Sequence, residues 1–439
     1  MRILHVLNHF LPSNTAGTEV YAWSLAKQLK TKGIKIKVLI PHYKQSVSAD
    51  YIYDGLQVCQ FAEPSLVDRS LIMGFRKPDG INSFIEHLNS EKLDIIHFHE
   101  IAGSNGITIH HVEAAKKTGA RVLFTFHLSV LSCMTGTLMQ NGIEGCDGKI
   151  DVKKCTQCYL KYKKINPLQQ KLLSWFSLLL IKIGFDTRGY SNKLGTALGT
   201  SFLVEKKKKE LISLLAHCDK VIVLTKWYRE ILLANGIPDD KIFFIPQGLP
   251  EKSVLKNSYK SNTDKLKFIF VGRISQFKGL HLLIDAFKKL NSNAVQLDIY
   301  GQADDVDYES NLKKLTVNMP CIQWKGLLPH ENVVQVMAQY DALCLCSTFS
   351  EMSPLVIQEA FAAGLPVIAS NVYGNAEQIK HGVNGLLFKF NDTADLLKQL
   401  QRCIDEKDLL NNLANNILPP RSFDEVANEH ITLYNSLLK

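Results

Sequence analysis

Residues 2–40 read RILHVLNHFLPSNTAGTEVYAWSLAKQLKTKGIKIKVLI, and the fold turns on them. Arg2 to Asn8 is a short apolar run of the kind that forms a strand buried on both faces. A loop follows as far as Gly17. Thr18 to Lys32 then sets Val20, Trp23, Leu25, Ala26 and Leu29 at helical spacing, and Gly33 ends the helix before a second apolar run, Ile34 to Ile40. This is a βαβ unit, the building block of a parallel sheet covered by helices.

The same alternation extends through the first half of the chain. Strands are expected at Asp94 to His99, Arg121 to His127, Lys220 to Thr225 and Lys241 to Pro246. It then pauses over Leu249 to Asp264, a polar stretch that reads as a linker, and restarts. New strands are expected at Lys267 to Gly272, Leu297 to Gly301, Ala342 to Ser347 and Pro366 to Ser370. The helices expected among them are Leu280 to Leu290, Asn332 to Tyr340 and Pro354 to Ala363. A last helix, Phe423 to Leu438, follows Pro419-Pro420. The organisation is two α/β domains, 1–248 and 265–420, joined by 249–264, with 421–439 as a terminal helix.

Composition agrees. At 439 residues, 46% hydrophobic and 21% charged, the chain is too long for one ordinary core and too balanced for disorder or a polytopic membrane protein. The start lacks the long apolar core and small-residue cleavage site of a signal peptide, so a cytoplasmic protein is expected, either free or peripheral on the inner face of the cell membrane. The net charge of +9 is lopsided: residues 1–248 hold 32 Lys and Arg against 21 Asp and Glu, and residues 151–210 alone hold 13 against 4. That segment points to a local anionic partner.

Open parallel sheets bind ligands beyond the carboxyl ends of their strands. Two such places carry chemistry. Phe270-Val-Gly-Arg273-Ile-Ser-Gln-Phe-Lys278-Gly279 puts a guanidinium and an ammonium on one loop beside a helix N-terminus, which suits a phosphate but also describes ordinary solvated loop cations. Ser350-Glu351-Met352-Ser353-Pro354-Leu355 leads into a helix that carries Glu359 and stops at Gly364-Leu-Pro366. Ser353 reads as its N-cap and Pro354 as its first helical residue. Carboxylates do not bind phosphate, so Glu351 and Glu359 are expected to accept hydrogen bonds from hydroxyls. A diphosphate between hydroxyl-bearing rings is a nucleotide sugar.

Glu351 and Glu359 with seven residues between them, the following Ala-Phe-Ala-Ala-Gly-Leu-Pro-Val-Ile-Ala-Ser, and the upstream Gly-Arg-Ile-Ser-Gln-Phe-Lys-Gly together resemble the signature of the retaining glycosyltransferases of family 4. The resemblance implies the GT-B fold, two Rossmann-like domains facing across a cleft. It further implies that Arg273 and Lys278 hold the donor diphosphate and stabilise the leaving group in place of a metal, with no cofactor required. Glu359 would bind the ribose. Glu351 and the backbone of Met352, Ser353 and Leu355 would contact the donor sugar. Gly17 resembles a glycine of the family's phosphate-approaching loop, and His127 a histidine near the reacting sugar. A strand-end structural histidine is the other reading of His127. The implied activity is hexosyl transfer with retention from a nucleotide sugar to a glycan or lipid-linked acceptor, in bacterial polysaccharide, lipopolysaccharide or glycolipid assembly. No paired carboxylates suggest a double displacement, which favours same-face attack.

Departures from the family pattern are Ala16 before Gly17, Leu128 after the histidine, and Pro354, which removes one potential N–H donor. His97 and His99 form a short motif, either structural or a metal pair. Residues 128–204 are too long for a simple crossover and read as an insertion. Within it Cys133, Cys146, Cys155 and Cys158 have spacings that suit a structural zinc, free thiols or labile disulfides. Gln169 to Phe185, flanked by lysines and too short to span a bilayer, reads either as an interfacial helix on an anionic membrane or as a core helix. A non-catalytic nucleotide- or sugar-binding subunit is the rival function. A dinucleotide oxidoreductase lacks its Gly-x-Gly-x-x-Gly after the first strand, and no stacking-aromatic motif supports nucleic acid.

Overall fold

The computed structural model describes residues 1–102, 104–249 and 265–439; the linker expected at 249–264 lies, but for Leu249, outside the described residues. The chain folds into two compact units. The first comprises Met1–Gly142, Cys146–Pro246 and Phe423–Lys439, and the second Ile143–Gly145 and Gln247–Ser422.

The first unit is built on eight strands: β1 Arg2–Val6, β2 Lys35–Tyr43, β3 Ala49–Tyr53, β4 Leu56–Glu63, β5 Ile95–Phe98, β6 Arg121–Phe126, β7 Lys220–Val223 and β8 Ile242–Phe244. Their order across the sheet is β8-β7-β6-β5-β1-β2-β4-β3. All neighbours pair parallel except β3 with β4. The sequence reading missed this last hairpin. Its signal was Asp54-Gly55, both at positive φ of 48° and 74°, the geometry of a tight hairpin turn.

The second unit has β9 Leu266–Val271, β10 Val295–Tyr300, β11 Ile322–Gly326, β12 Ala342–Leu345, β13 Val367–Ser370 and β14 Gly385–Phe388. The sheet order is β11-β10-β9-β12-β13-β14, all parallel, which is the dinucleotide-fold order 3-2-1-4-5-6. Two helices are shorter than expected: Leu280–Phe287 and Val333–Met337, the latter entered through a 3₁₀ turn at His330–Asn332.

The strands read as apolar runs because both sheet faces are covered. In the first unit Ile3, Ile95, Leu123 and Ile222 pack with Tyr21, Leu25 and Leu29 of the helix Gly17–Thr31 and with Phe423, Val426 and Tyr434 of the terminal helix. Each such side chain contributes about 1.5–3 kcal/mol by burial. A polar anchor sets the terminal helix on this unit, for Tyr434 OH lies 2.8 Å from His97 Nδ1, whose Nε2 lies 2.7 Å from Thr125 Oγ1.

Candidate active site

In the second unit the chain passes from β9 outward to β11 and then returns to β12 on the other side of β9. Two loops therefore part at the carboxyl ends of β9 and β12, which is where such sheets open a crevice. These are the two loops singled out by sequence. They are stitched together, as Thr348 N–H donates to Phe277 O at 2.7 Å and Thr348 Oγ1 to Gln276 O at 2.9 Å. Gly279 makes the approach possible: its φ is 66°, and a Cβ there would sit 1.8 Å from Cys346 O.

The stitching delivers Lys278 to Glu351. Lys278 Nζ donates to Glu351 Oε1 at 2.5 Å, and Ser347 Oγ donates to the same oxygen at 2.6 Å. The carboxylate side chain is 8% exposed and the ammonium 17%, so each charge is largely withdrawn from water and depends on the other. Phe349 covers the ammonium, its ring centroid 5.4 Å from Nζ. Behind them the backbone of Gly374 presses on the Glu351 carbonyl, where a Cβ would come within 2.1 Å. Sequence reasoning missed Ser347 and Gly374; their signal was position alone, just past β12 and in the first turn of the helix Tyr373–Gln378 that follows β13.

Arg273 is placed differently. It is 67% exposed and its Nη1 lies 3.3 Å from Asp304 on the neighbouring loop after β10. Glu359 sits in the second turn of the helix Leu355–Ala362 and is buried, with His330 Nδ1 at 3.5 Å from Oε1. Burial pushes its carboxyl up to about 7. His330 has no counterpart in the motifs read from sequence. It comes from the loop after β11.

The entry to this helix corrects the expected one. Pro354, not Ser353, is the N-cap, in an extended conformation with ψ 121°, and the helix begins at Leu355. Proline pushes its predecessor out of the helical region and brings no side-chain acceptor, so no side chain caps the first turn. The exit is as read: Gly364 has φ 69°, with Gly364 N–H to Phe361 O at 3.0 Å and Leu365 N–H to Ala360 O at 2.8 Å. Met352 is buried, while Ser353 and Leu355 are partly exposed.

The remaining candidates belong to the first unit. Gly17 opens the helix Gly17–Thr31, and nothing lies within 4 Å of where its Cβ would be. His127 follows β6, packs edge-on against Tyr21 at 4.6 Å, and places Nε2 3.2 Å from His99 Nδ1. Burial, with His430 adding repulsion, brings its pKa down to about 3, so its imidazole is neutral and serves as a hydrogen-bond partner. His5, His97 and His99 offer ligand atoms within 4.8 Å of one another, although both ring nitrogens of His97 already meet protein partners. Cys133, Cys146, Cys155 and Cys158 are free, partly exposed thiols. The last two lie on the helix Val152–Tyr162 at i and i+3, which puts them on one face.

Two family models match this chain: glycosyl transferases group 1 over residues 251–418 and glycosyltransferase family 4 over residues 15–154. An uncharacterized glycosyltransferase of Methanocaldococcus jannaschii is 25% identical over a match covering 51% of this chain and 62% of its own. Amylovoran biosynthesis glycosyltransferase AmsK of Erwinia amylovora is 28% identical over 47% of this chain and 53% of its own. The chain thus spans between half and two thirds of the length of these relatives. Among solved structures, Anabaena HepE in complex with UDP and glucose superposes with a TM-score of 0.64 at 15% identity, over 99% of this chain and 100% of that one. The shared architecture is the GT-B fold, two parallel-sheet α/β domains.

Proposed function

Because this chain belongs to the group 1 glycosyltransferases, we propose that it moves a hexosyl group from a nucleotide sugar to a glycan or lipid-linked acceptor, with retention, in bacterial surface-polysaccharide or glycolipid assembly. The observation that carries this reading is the ion pair Lys278–Glu351 set at the switch point of the second sheet, beside a helix whose first turn no side chain caps. HepE, crystallised with UDP and with UDP-glucose, lends the donor class its support.

In this reading the donor diphosphate lies along the loop Gly272–Gly279, its charge offset by Lys278, by Arg273 turning from Asp304, and by the opening amides of the helix Leu355–Ala362. Glu359 accepts from the ribose hydroxyls, a bond that favours its charged form against the burial that opposes it. Glu351 orients the donor sugar with the backbone of Met352, Ser353 and Leu355. Gly17 leaves room for phosphate, and neutral His127 offers a hydrogen bond to the sugar. The bond from the anomeric carbon to the diphosphate oxygen breaks, the acceptor oxygen bonds on the same face, and its proton passes to the departing diphosphate. Acceptor binding is supported by a cavity at the carboxyl ends of β1, β2 and β5, lined by Asn8, His9, Tyr43, Lys44 and Glu100.

Nucleotide release and product analysis with UDP-, GDP- and ADP-sugars test this. One donor class should release nucleotide with a new glycosidic product of unchanged anomeric configuration. Tight nucleotide binding with no turnover across acceptor preparations would instead establish a non-catalytic binding subunit.

A further inference from the structure

The helix Pro167–Lys182 is built inside out. The residues it buries are Ser174 and Ser177, while Leu168, Leu172, Trp175, Phe176 and Leu179, with Ile183 just beyond, stand exposed. At roughly 100° per residue these six positions fall on one stripe about 100° wide, with the two serines on the opposite side. The inward side is fixed by polar contacts, with Leu173, Leu178, Leu180 and Ile181 partly buried around them: Ser177 Oγ donates to Leu198 O at 2.7 Å and Ser201 Oγ to Ser177 O at 2.7 Å, clasping the helix to its neighbour Thr200–His217. Trp175 is 60% exposed and Ile183 66%, far more than a soluble surface needs from large apolar side chains in one row.

Charge selects the occupant. Residues 152–185 hold seven lysines and no Asp or Glu. Lys161, Lys163, Lys164, Lys171 and Lys182 are exposed, and Lys171 and Lys182 run along one edge of the apolar stripe on the helix itself. A second copy of the chain packed antiparallel on this face about a two-fold axis would bring the same lysine-bearing edges against one another. An anionic bilayer surface satisfies both features, taking apolar side chains below the headgroups and ammonium groups among them. Among the described residues no helix is long and apolar enough to cross a membrane, which leaves lying on it as the available mode. We propose that the helix Pro167–Lys182 with Ile183 and Phe185 is a docking face for an anionic lipid surface. The inference goes beyond sugar transfer and does not depend on it.

Co-sedimentation of the full chain with phosphatidylcholine vesicles, with and without phosphatidylglycerol, tests it. The unaltered protein should sediment with the phosphatidylglycerol vesicles and be released by salt. The double substitution Trp175→Ser with Ile183→Ser should lower partitioning on the order of tenfold, and Lys171→Gln with Lys182→Gln by a similar factor on anionic vesicles only. Both pairs are exposed, and circular dichroism confirms folding. Vesicle binding that is absent, or unchanged in the apolar variant, overturns the proposal. So does a dimer in light scattering that Trp175→Ser with Ile183→Ser dissociates, because a second copy would then cover the face.

Discussion

Lys278 and Glu351, 73 residues apart, meet at 2.5 Å across the loops that follow β9 and β12. Neither is comfortable alone. Ser347 satisfies one further lone pair of the carboxylate, and Phe349 shields the ammonium from water. A pair held so close can exchange partners with little movement, the ammonium turning to a phosphate while the carboxylate takes a sugar hydroxyl.

Lys278→Ala should cut turnover by about a hundredfold or more, because it removes charge stabilisation from the leaving group. It should also cost about 3 kcal/mol of stability in denaturant titration, since it strands Glu351 in a site that is 8% exposed. Adding Glu351→Gln should restore most of the stability and none of the turnover. A double variant as unstable as the single one would show that the pair does not carry the cost.

Glu359 predicts a pH signature. Its carboxyl titrates near 7 in the folded protein and near the ordinary 4.5 when unfolded. Between these values the folded chain holds a proton the unfolded chain has lost, so its contribution to stability falls as pH rises through the window, and the penalty is complete above about 7. Glu359→Gln should therefore stabilise the protein at pH 8 by up to about 3 kcal/mol, leave it unchanged at about pH 4, and abolish turnover. Denaturation midpoints at the two pH values measure it.

Gly279→Ala tests the loop junction. The substitution meets both a φ of 66° and the Cys346 carbonyl at 1.8 Å. A loss of more than about 1 kcal/mol is expected from the backbone alone, with further loss from the clash. Because the loops must part to relieve it, nucleotide affinity measured by calorimetry should fall as well. Gly17→Ala, with open space around it, should leave stability within about 0.5 kcal/mol and act on donor affinity only.

The four cysteines set up a metal test: among the described residues no three of Cys133, Cys146, Cys155 and Cys158 hold their sulfurs within 4.8 Å of one another, so a zinc ion would have to draw them together. Burial raises the thiols of Cys146, Cys155 and Cys158, an unfavourable setting for thiolates that a zinc ion would reverse. Protein prepared under reducing conditions should carry one zinc per chain by elemental analysis, and Cys155→Ser or Cys158→Ser should lose it and lower the melting temperature. Metal-free reduced protein with an unchanged melting curve would assign Cys133, Cys146, Cys155 and Cys158 as free thiols.

Much of the fold was legible because its signals are local. Apolar runs five to seven residues long marked six strands of the first sheet and four of the second, and the terminal helix was bounded as the structure has it, Phe423–Leu438, while the two edge strands of the second sheet, β11 and β14, went unread. The antiparallel hairpin β3–β4 escaped because β3 has no buried residue to make it stand out. At the site, Arg273, Lys278, Glu351 and Glu359 were legible from type and spacing. His330, Ser347 and Gly374 were not, since each is unremarkable among its sequence neighbours and acquires meaning from what lies across a loop.

Sequence alone determined the order of the central strands along the chain, which loops lie at their carboxyl ends, and which charges those loops carry, because periodicity acts over a few residues; helix ends were set to within a few residues only. Only the tertiary structure decided partners. Sheet order brought Lys278 to Glu351 and left Arg273 with Asp304, gathered His97, Thr125 and Tyr434 from three distant elements, and turned the apolar side of Pro167–Lys182 outward. Such choices rest on desolvation and contact between segments far apart in the chain, which no local pattern encodes.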